Sequence, residues 1–392
     1  MSPELIVTLL LFMAADAGRR GYRHVLEEFW DQAARSGIRM PQAKPVSAAA
    51  FCLARRKLAP ELFDVLLEQV HAEFRARHGA KLLWHGRRVF AVDGSKFNLQ
   101  RSADLAQAFG IPSGGHCPQV LVSTLFDVIG KVPCALTVAP SASCERQQML
   151  KLAQRLQAGD LLVLDRGYPS FEVLEALSRA EIDVLVRVPA RSSFDAIQVF
   201  QDSGGADYRV LVQPPRDGTH PGAQPLELRA LRIDTSGKED WFLLTSLRRA
   251  HVTSSQIAQL YHLRWEIEEF FKLLKGDYFS QRQFHAKTAL AVEQEIRAQM
   301  LFVALSRLLM ATAADYTKTP YQDLSSKSGI LGLGSHLVGL MLRDDPDVAA
   351  SELGRLLPRL VRNRNQRRPG RVCPRRSFKP GPRWNSRGRI GA

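Results

Sequence analysis

Four polar side chains recur along one stretch of the chain at spacings of three, four and seven residues: Tyr261, Arg264, Glu268 and Lys275. On an α-helix, at about 100° per residue, they point along ~0°, ~−60°, ~−20° and ~−40°, one arc about 60° wide. Leu263, Ile267, Phe270 and Leu274 fall at roughly 180° to 240° on the same wheel, so an apolar stripe lies opposite and packs the helix from behind. A carboxylate flanked by a phenol, a guanidinium and an ammonium group suits a metal ion held against a phosphate backbone, because cations alone bind phosphate without cutting it. The wheel also selects among the acids: Glu266 at ~140° and Glu269 at ~80° lie off that face, which leaves Glu268.

Two aspartates extend the pattern. Asp93 is expected to end a strand over 89–93 and is followed by Gly94 and Ser95; Asp165 ends the apolar run 161–165 and is followed by Arg166, Gly167, Tyr168 and Pro169. Taken singly, each also reads as an Asx-turn or helix-capping residue. Together on neighbouring strands, with a glutamate on a helix packed against the sheet, they repel one another unless a divalent cation sits among them. Mg²⁺ prefers oxygen ligands and retains waters, which matches carboxylates with no histidine or cysteine cluster nearby. Two such ions about 4 Å apart can activate a water or a sugar hydroxyl and stabilise the leaving oxygen of a phosphodiester displacement.

The elements that must position these acids are read from periodicity. Residues 1–80 read as helices, over 3–15, 22–36, 47–56 and 60–77, with Ser47 as an N-cap. They form either a small DNA-binding module or a helical cap on the next domain. Strands are expected over 88–92, 119–128 and 132–138, then a helix over 145–157, a strand over 161–164, a helix over 170–180 and a strand over 183–188. A meander followed by alternating helix and strand implies a mixed sheet with helices on its faces. Strand-like runs at 208–212, 226–233 and 241–247, broken by the Pro- and Gly-rich stretch 214–225, make a β-rich insertion ahead of the helix that carries Glu268. Helices resume over 289–314 and around 336–342.

Composition sets the outer bounds. With 392 residues, 45% hydrophobic and 24% charged, the chain has the make-up of a globular protein with a substantial core. The five cysteines, Cys52, Cys117, Cys134, Cys144 and Cys373, show no CxxC spacing, which argues against zinc and fits a reducing compartment. The apolar run 5–15 is too short to span a bilayer and follows an acidic Glu4, so it reads as a buried helix, and no membrane partner is expected. Of the 54 Lys and Arg, thirteen lie in 355–392 together with none of the 39 acids, so the net charge of +15 belongs almost wholly to this tail. Poor in apolar residues and rich in Pro and Gly, the tail is expected to be disordered until it meets a polyanion, or else simply to solubilise the chain. Such segments bind phosphate without reading sequence.

The ordered set Asp93-Gly94-Ser95, Asp165-Arg166-Gly167-Tyr168 and Tyr261-x2-Arg264-x3-Glu268-x6-Lys275 resembles the DDE transposases of bacterial insertion sequences, within them the group marked by the YREK signature. The similarity covers roughly residues 45–280. It implies a ribonuclease H-like catalytic domain, set over 81–188 and 248–315, with a β-rich insertion over 189–247; periodicity and composition add a helical region over 1–80, a helical region over 316–354 and a basic tail over 355–392. The resemblance also implies Mg²⁺-dependent cleavage and strand transfer at transposon ends, with Mn²⁺ able to substitute. Asp93, Asp165 and Glu268 are then the catalytic metal ligands, Asp93 bridging two ions, while Tyr261, Arg264 and Lys275 contact DNA phosphates beside the scissile bond. In some members a tryptophan on the insertion stabilises a base flipped out as a DNA hairpin forms, and Trp241 matches it; a core tryptophan at a strand start is the other reading. The implied partners are double-stranded DNA, as inverted repeats and target, and a second copy of the chain in a homodimeric synapse, in the bacterial cytoplasm at the nucleoid. The competing reading is a non-catalytic, transposase-derived DNA-binding protein or repressor in which the acids are incidental.

Overall fold

The computed structural model describes residues 1–15, 21–189, 192, 194–235, 240–276 and 284–364. Four helices come first, α1 (Pro3–Ala15), α2 (Tyr22–Arg35), α3 (Ala48–Arg55) and α4 (Glu61–His78). Ser47 caps α3 as expected, its hydroxyl accepting from the Ala50 N–H at 3.1 Å. The sheet opens with β1 (Val89–Asn98) and, after α5 (Ala103–Phe109), continues through β2 (Gln119–Asp127) and β3 (Val132–Pro140). Next come α6 (Glu145–Ala153), β4 (Leu161–Leu164), α7 (Phe171–Arg179), β5 (Asp183–Val188) and α8 (Asp195–Asp202). Three more strands, β6 (Asp207–Val212), β7 (Leu226–Ile233) and β8 (Trp241–Thr245), precede α9 (Ser254–His262), α10 (Trp265–Lys275) and α11 (Ala289–Thr317). The described chain closes with α12 (Ser326–Met341) and α13 (Pro346–Leu360).

The eight strands among the described residues form one mixed sheet in the order β3-β2-β1-β4-β5-β8-β7-β6. Its first five strands form an antiparallel meander, β3-β2-β1, joined to two parallel strands, β4 and β5. This is the expected ribonuclease H-like mixed sheet with helices on both faces. The strands of the β-rich segment continue that sheet: β8 pairs antiparallel with β5 from Leu185↔Thr245 to Val188↔Phe242.

Alternation along the strands separates two cores. Val89, Ala91, Leu161, Val163 and Leu185 face a large core shared with α1 to α4 and α9 to α13. Phe90, Val92, Leu162, Leu164 and Val184 face a smaller one built with α6, α7 and α8. Strand β4, Leu-Leu-Val-Leu, is buried on both sides, as the interior strand of a covered parallel pair must be.

Helix α11 is the axis of the large core. It is long and apolar enough to cross a membrane by length and composition, yet it lies inside this protein and carries buried Gln294, Glu295, Arg297 and Gln299. Arg55 of α3, 1% exposed, docks on it through Glu295 Oε1 (3.0 Å), Gln294 Oε1 (2.8 Å) and the Ala291 carbonyl (2.7 Å).

Several sequence expectations change. Strand β1 does not end at Asp93 but runs on to Asn98, because its pairing with β2 continues after the pairing with β4 has stopped. The helix expected across 261–275 is two: the Leu263 and Arg264 N–H groups bond three residues back, to Leu260 and Tyr261, and this tight turn separates α9 from α10. Helix α12 is longer than 336–342; its glycines mask it, yet Gly329 and Gly332 are where a Cβ would lie 2.4 Å from Met310 Sδ and 2.3 Å from Leu360 Cδ2. The basic tail cannot begin at 355, since α13 runs to Leu360. Its expected disorder concerns residues 365–392, outside the described ones.

Candidate active site at the ends of β1 and β4

Strands β1 and β4 pair in parallel through Val89↔Leu161, Phe90↔Leu162 and Ala91↔Val163. Continued two residues, the same register sets Asp93 beside Asp165 where the strands part, and alternation turns both toward the face covered by α10. The backbone orients each carboxylate: Asp93 Oδ1 accepts from the Gly94 N–H at 2.9 Å, and Asp165 Oδ1 from the Gly167 N–H at 2.7 Å. The second is an Asx-turn, so the structural and chemical readings of Asp165 hold together.

Burial, then the charge of Asp165, pushes the Asp93 carboxyl up to about 7, against the opposing pull of the Gly94 N–H and Arg264. The unfolded chain ionises Asp93 near 3.8. Between the two values the folded protein keeps a proton that the unfolded chain has lost, so stability falls as pH rises through this window and levels off above it. Asp93→Asn removes that penalty. We expect the variant to melt above wild type at pH 8, with the gain shrinking toward pH 4; a variant that melts lower at pH 8 would show that the ionised carboxylate is not under strain.

The four signature residues do not share one solvated helix face. Tyr261 is 2% exposed, because the turn at Leu263–Arg264 rotates it inward, and burial raises its phenol to about 12. Its ring meets that of Trp241 edge-on at 5.4 Å, with the Arg187 guanidinium over the Trp241 ring at 5.5 Å. On its other side the Arg264 guanidinium lies 5.8 Å from the Tyr261 ring. Arg264 Nη2 donates to Glu268 Oε1 at 2.5 Å, and the charge of Asp165 acts on the same guanidinium. Lys275 stands over the Phe97 ring at 4.8 Å within the field of Asp93, and burial lowers its ammonium. The other two acids of α10 are engaged elsewhere, Glu266 with Lys131 at 2.8 Å and Glu269 with Lys272.

The structure therefore brings Asp93, Asp165, Arg264, Lys275, Tyr261 and Trp241 to one end of the sheet, with Glu268 joined to the group through Arg264. Among the described residues no three Asp, Glu, His or Cys side chains stand together as a finished metal site. The donor set nonetheless suits a hard divalent cation: two backbone-oriented carboxylates on adjacent strands, and a third one guanidinium away. Buried hydroxyls at this end, among them Thr124 Oγ1 and Ser123 Oγ, opposite Asp93 and Gly94 in the β1–β2 register, and Tyr168 Oη, have no hydrogen-bond partner among the described residues. Sequence reasoning assigned no role to Glu145, whose charge acts on Asp93, or to Tyr168, on which the charge of Asp93 acts. An acid at the first position of α6 is ordinary helix chemistry, so nothing local marked it.

The sheet order, with helices on both faces, gives the chain a ribonuclease H-like fold. The chain belongs to the transposase DDE domain family, whose model matches residues 84–305, more than half of its length. No curated protein matches the sequence. Among solved structures it is similar to a piggyBac transposase in a synaptic complex with hairpin DNA, with a TM-score of 0.47 and 13% identity over 94% of this chain and 77% of that one.

Proposed function

We propose that this protein is the DNA transposase of a bacterial insertion sequence, of the YREK-signature group, which binds the ends of its element, cuts there and joins the freed 3′-hydroxyl to target DNA. The observation that carries the reading is the β1–β4 register, which sets Asp93 beside Asp165 under the helix bearing Glu268. In this reading Asp93, Asp165 and Glu268 are the catalytic residues and hold Mg²⁺, as two ions, with Mn²⁺ able to substitute. When bound, such ions supply Lewis acidity and an activated hydroxyl.

The remaining roles belong to the chain. Asp93 and Asp165 present carboxylates fixed by the Gly94 and Gly167 N–H groups. Arg264 holds Glu268 in the DNA-free protein and carries the fork that would grip a phosphate once Glu268 is released. Lys275 contributes a cation at the Asp93 side. Trp241 offers a ring for a displaced base, and Tyr261, buried behind it, braces Trp241 and Arg264 against the same DNA. The partners are double-stranded DNA, as inverted repeats and target, and a second copy in a homodimeric synapse, acting in the cytoplasm at the nucleoid. We retain the division into a helical region over 1–80, a catalytic domain over 81–188 and 248–315, an insertion over 189–247, a helical region over 316–354 and a basic tail, here shifted to begin after α13.

A gel-shift and cleavage pair tests the reading. Asp165→Asn is expected to bind duplexes carrying the element ends within about threefold of wild type while losing cleavage, since phosphate contacts and chemistry rest on different side chains. Equal cutting by the variant would remove Asp165 from the chemistry. Binding by both proteins with cutting by neither would favour a DNA-binding relic.

A further inference from the structure

We propose that the cavity between α10 and the N-terminus of α12 binds a phosphate-type oxyanion, with Arg307 of α11 as its fixed positive charge. Glu266, Glu269, Phe270 and Leu273 of α10 line this cavity and Glu268 does not, so the site is separate from the signature face and independent of the catalytic reading.

Arg307 is a charge without a counter-charge. It is 5% exposed. Its Nη1 donates to Ser326 Oγ at 2.7 Å and lies 3.7 Å from Met310 Sδ, while its buried Nε has no hydrogen-bond partner among the described residues. Among those residues it also forms no ion pair. The other buried arginines show the ordinary arrangement: Arg55 pairs with Glu295 at 3.0 Å, Arg229 with Asp207 at 2.8 Å and Arg297 with Asp64 at 3.1 Å. A guanidinium taken out of water is costly unless an anion meets it, and here the protein supplies none.

The second observation is where this guanidinium points. Ser326, which it holds, is the first residue of the sixteen-residue helix α12. That helix has neither a capping side-chain hydrogen bond nor an acid in its first turn. The positive end of its dipole and the Arg307 guanidinium therefore meet at one place, an arrangement that favours an oxyanion.

Arg307 and Ser326 both line the cavity, whose volume is about 330 Å³. Its two acids are already matched, Glu266 by Lys131 at 2.8 Å and Glu269 by Lys272. The described walls thus keep the charge of Arg307 as their excess. A guanidinium with a spare N–H, a serine hydroxyl and a helix N-terminus make a donor set that matches the several acceptor oxygens of a phosphate group. An anion held there would join α11 to α12 directly behind the helix that carries Glu268. The group is either free phosphate or a phosphate of the DNA backbone, and two arms of the experiment separate these.

The test is thermal melting of the full-length protein in sodium phosphate and in sodium chloride at equal pH and ionic strength. Wild type is expected to melt higher in phosphate by about 2 °C or more, because a ligand that binds only the folded state stabilises it. Phosphate also stabilises proteins by exclusion from their surface, so the site is read from the part of the shift that the variants lose. Ser326→Asp places a carboxylate beside Arg307 in the first turn of α12, where the anion would sit. This variant should melt above wild type in chloride and lose the specific response to phosphate. Arg307→Gln should lose that response too, and Ser326→Asp, which leaves the core side chains in place, decides the matter even where Arg307→Gln does not fold. Equal melting of wild type in the two salts would overturn the proposal, as would a phosphate response in Ser326→Asp equal to that of wild type. Titration of a labelled DNA duplex then identifies the source. If a backbone phosphate fills the site, both variants weaken duplex binding alike, by about fivefold or more; if free phosphate fills it, both leave that affinity within about twofold.

Discussion

Glu268→Gln should reduce strand cleavage by about a thousandfold or more, the scale seen when one member of a catalytic set that acts as a unit is removed. The substitution keeps the size and one acceptor oxygen of the side chain, so Arg264 still has a neutral partner in place of the bond it makes at 2.5 Å. Only the charge is lost, and a neutral amide is a poor ligand for a hard cation. Helix α10 packs through Ile267, Phe270, Phe271 and Leu274, none of which the change touches. The melting temperature should therefore stay close to wild type, and DNA binding should persist. Partial loss, about tenfold or less, would mean that Glu268 acts through Arg264 and not on the reacting centre.

The largest effect on stability is expected at Arg55, far from the acids. Arg55→Ala should lower the free energy of unfolding by about 3–5 kcal/mol, the usual result when one partner is removed from a buried ion pair. Arg55 and Glu295 are 2% and 5% exposed at the side chain. Glu295 would keep the Tyr22 hydroxyl at 3.0 Å and the His285 N–H at 2.9 Å, so its charge would not be stranded altogether. The Gln294 amide oxygen and the Ala291 carbonyl would lose their donor in the core. The Gln294 amide would still donate to the Arg55 and Leu58 carbonyls, so α3 should stay docked on α11 while urea unfolding of the variant shows a lower midpoint. A change under about 1 kcal/mol would show that water enters and replaces the bonds.

The parts of this molecule legible in sequence are those encoded locally. The apolar run of β4, the strand-like runs of β2 and β3, the capping hydroxyl of Ser47 and the signature on α9 and α10 all reside in short windows. Asp165 at the end of β4 and the approximate place of Asp93 came from the same windows. What stayed hidden depends on pairing between distant segments. The extent of β1 past Asp93 is decided by β2, which keeps pairing after β4 stops. The joining of β8 to β5 is likewise a long-range event that no local pattern records. The inward turn of Tyr261 comes from two residues of tightened helix, which a regular wheel cannot show. Helix α12 was obscured because its glycines, unfavourable for helix in isolation, are selected by close packing on Met310 and Leu360. Glu145 was invisible for the same kind of reason: its neighbour Gly94 is far away in sequence and adjacent only in the fold.

A metal-dependent strand-cutting site built from Asp93, Asp165 and Glu268 should act on DNA that carries the ends of the element. Purified protein would be incubated with a supercoiled plasmid carrying the DNA that flanks its gene, with and without Mg²⁺, beside Glu268→Gln. Mg²⁺-dependent nicks at the repeat boundaries are expected with wild type and none with the variant. Tight binding without any cut, alike in wild type and variant and with the metal present, would contradict such a site.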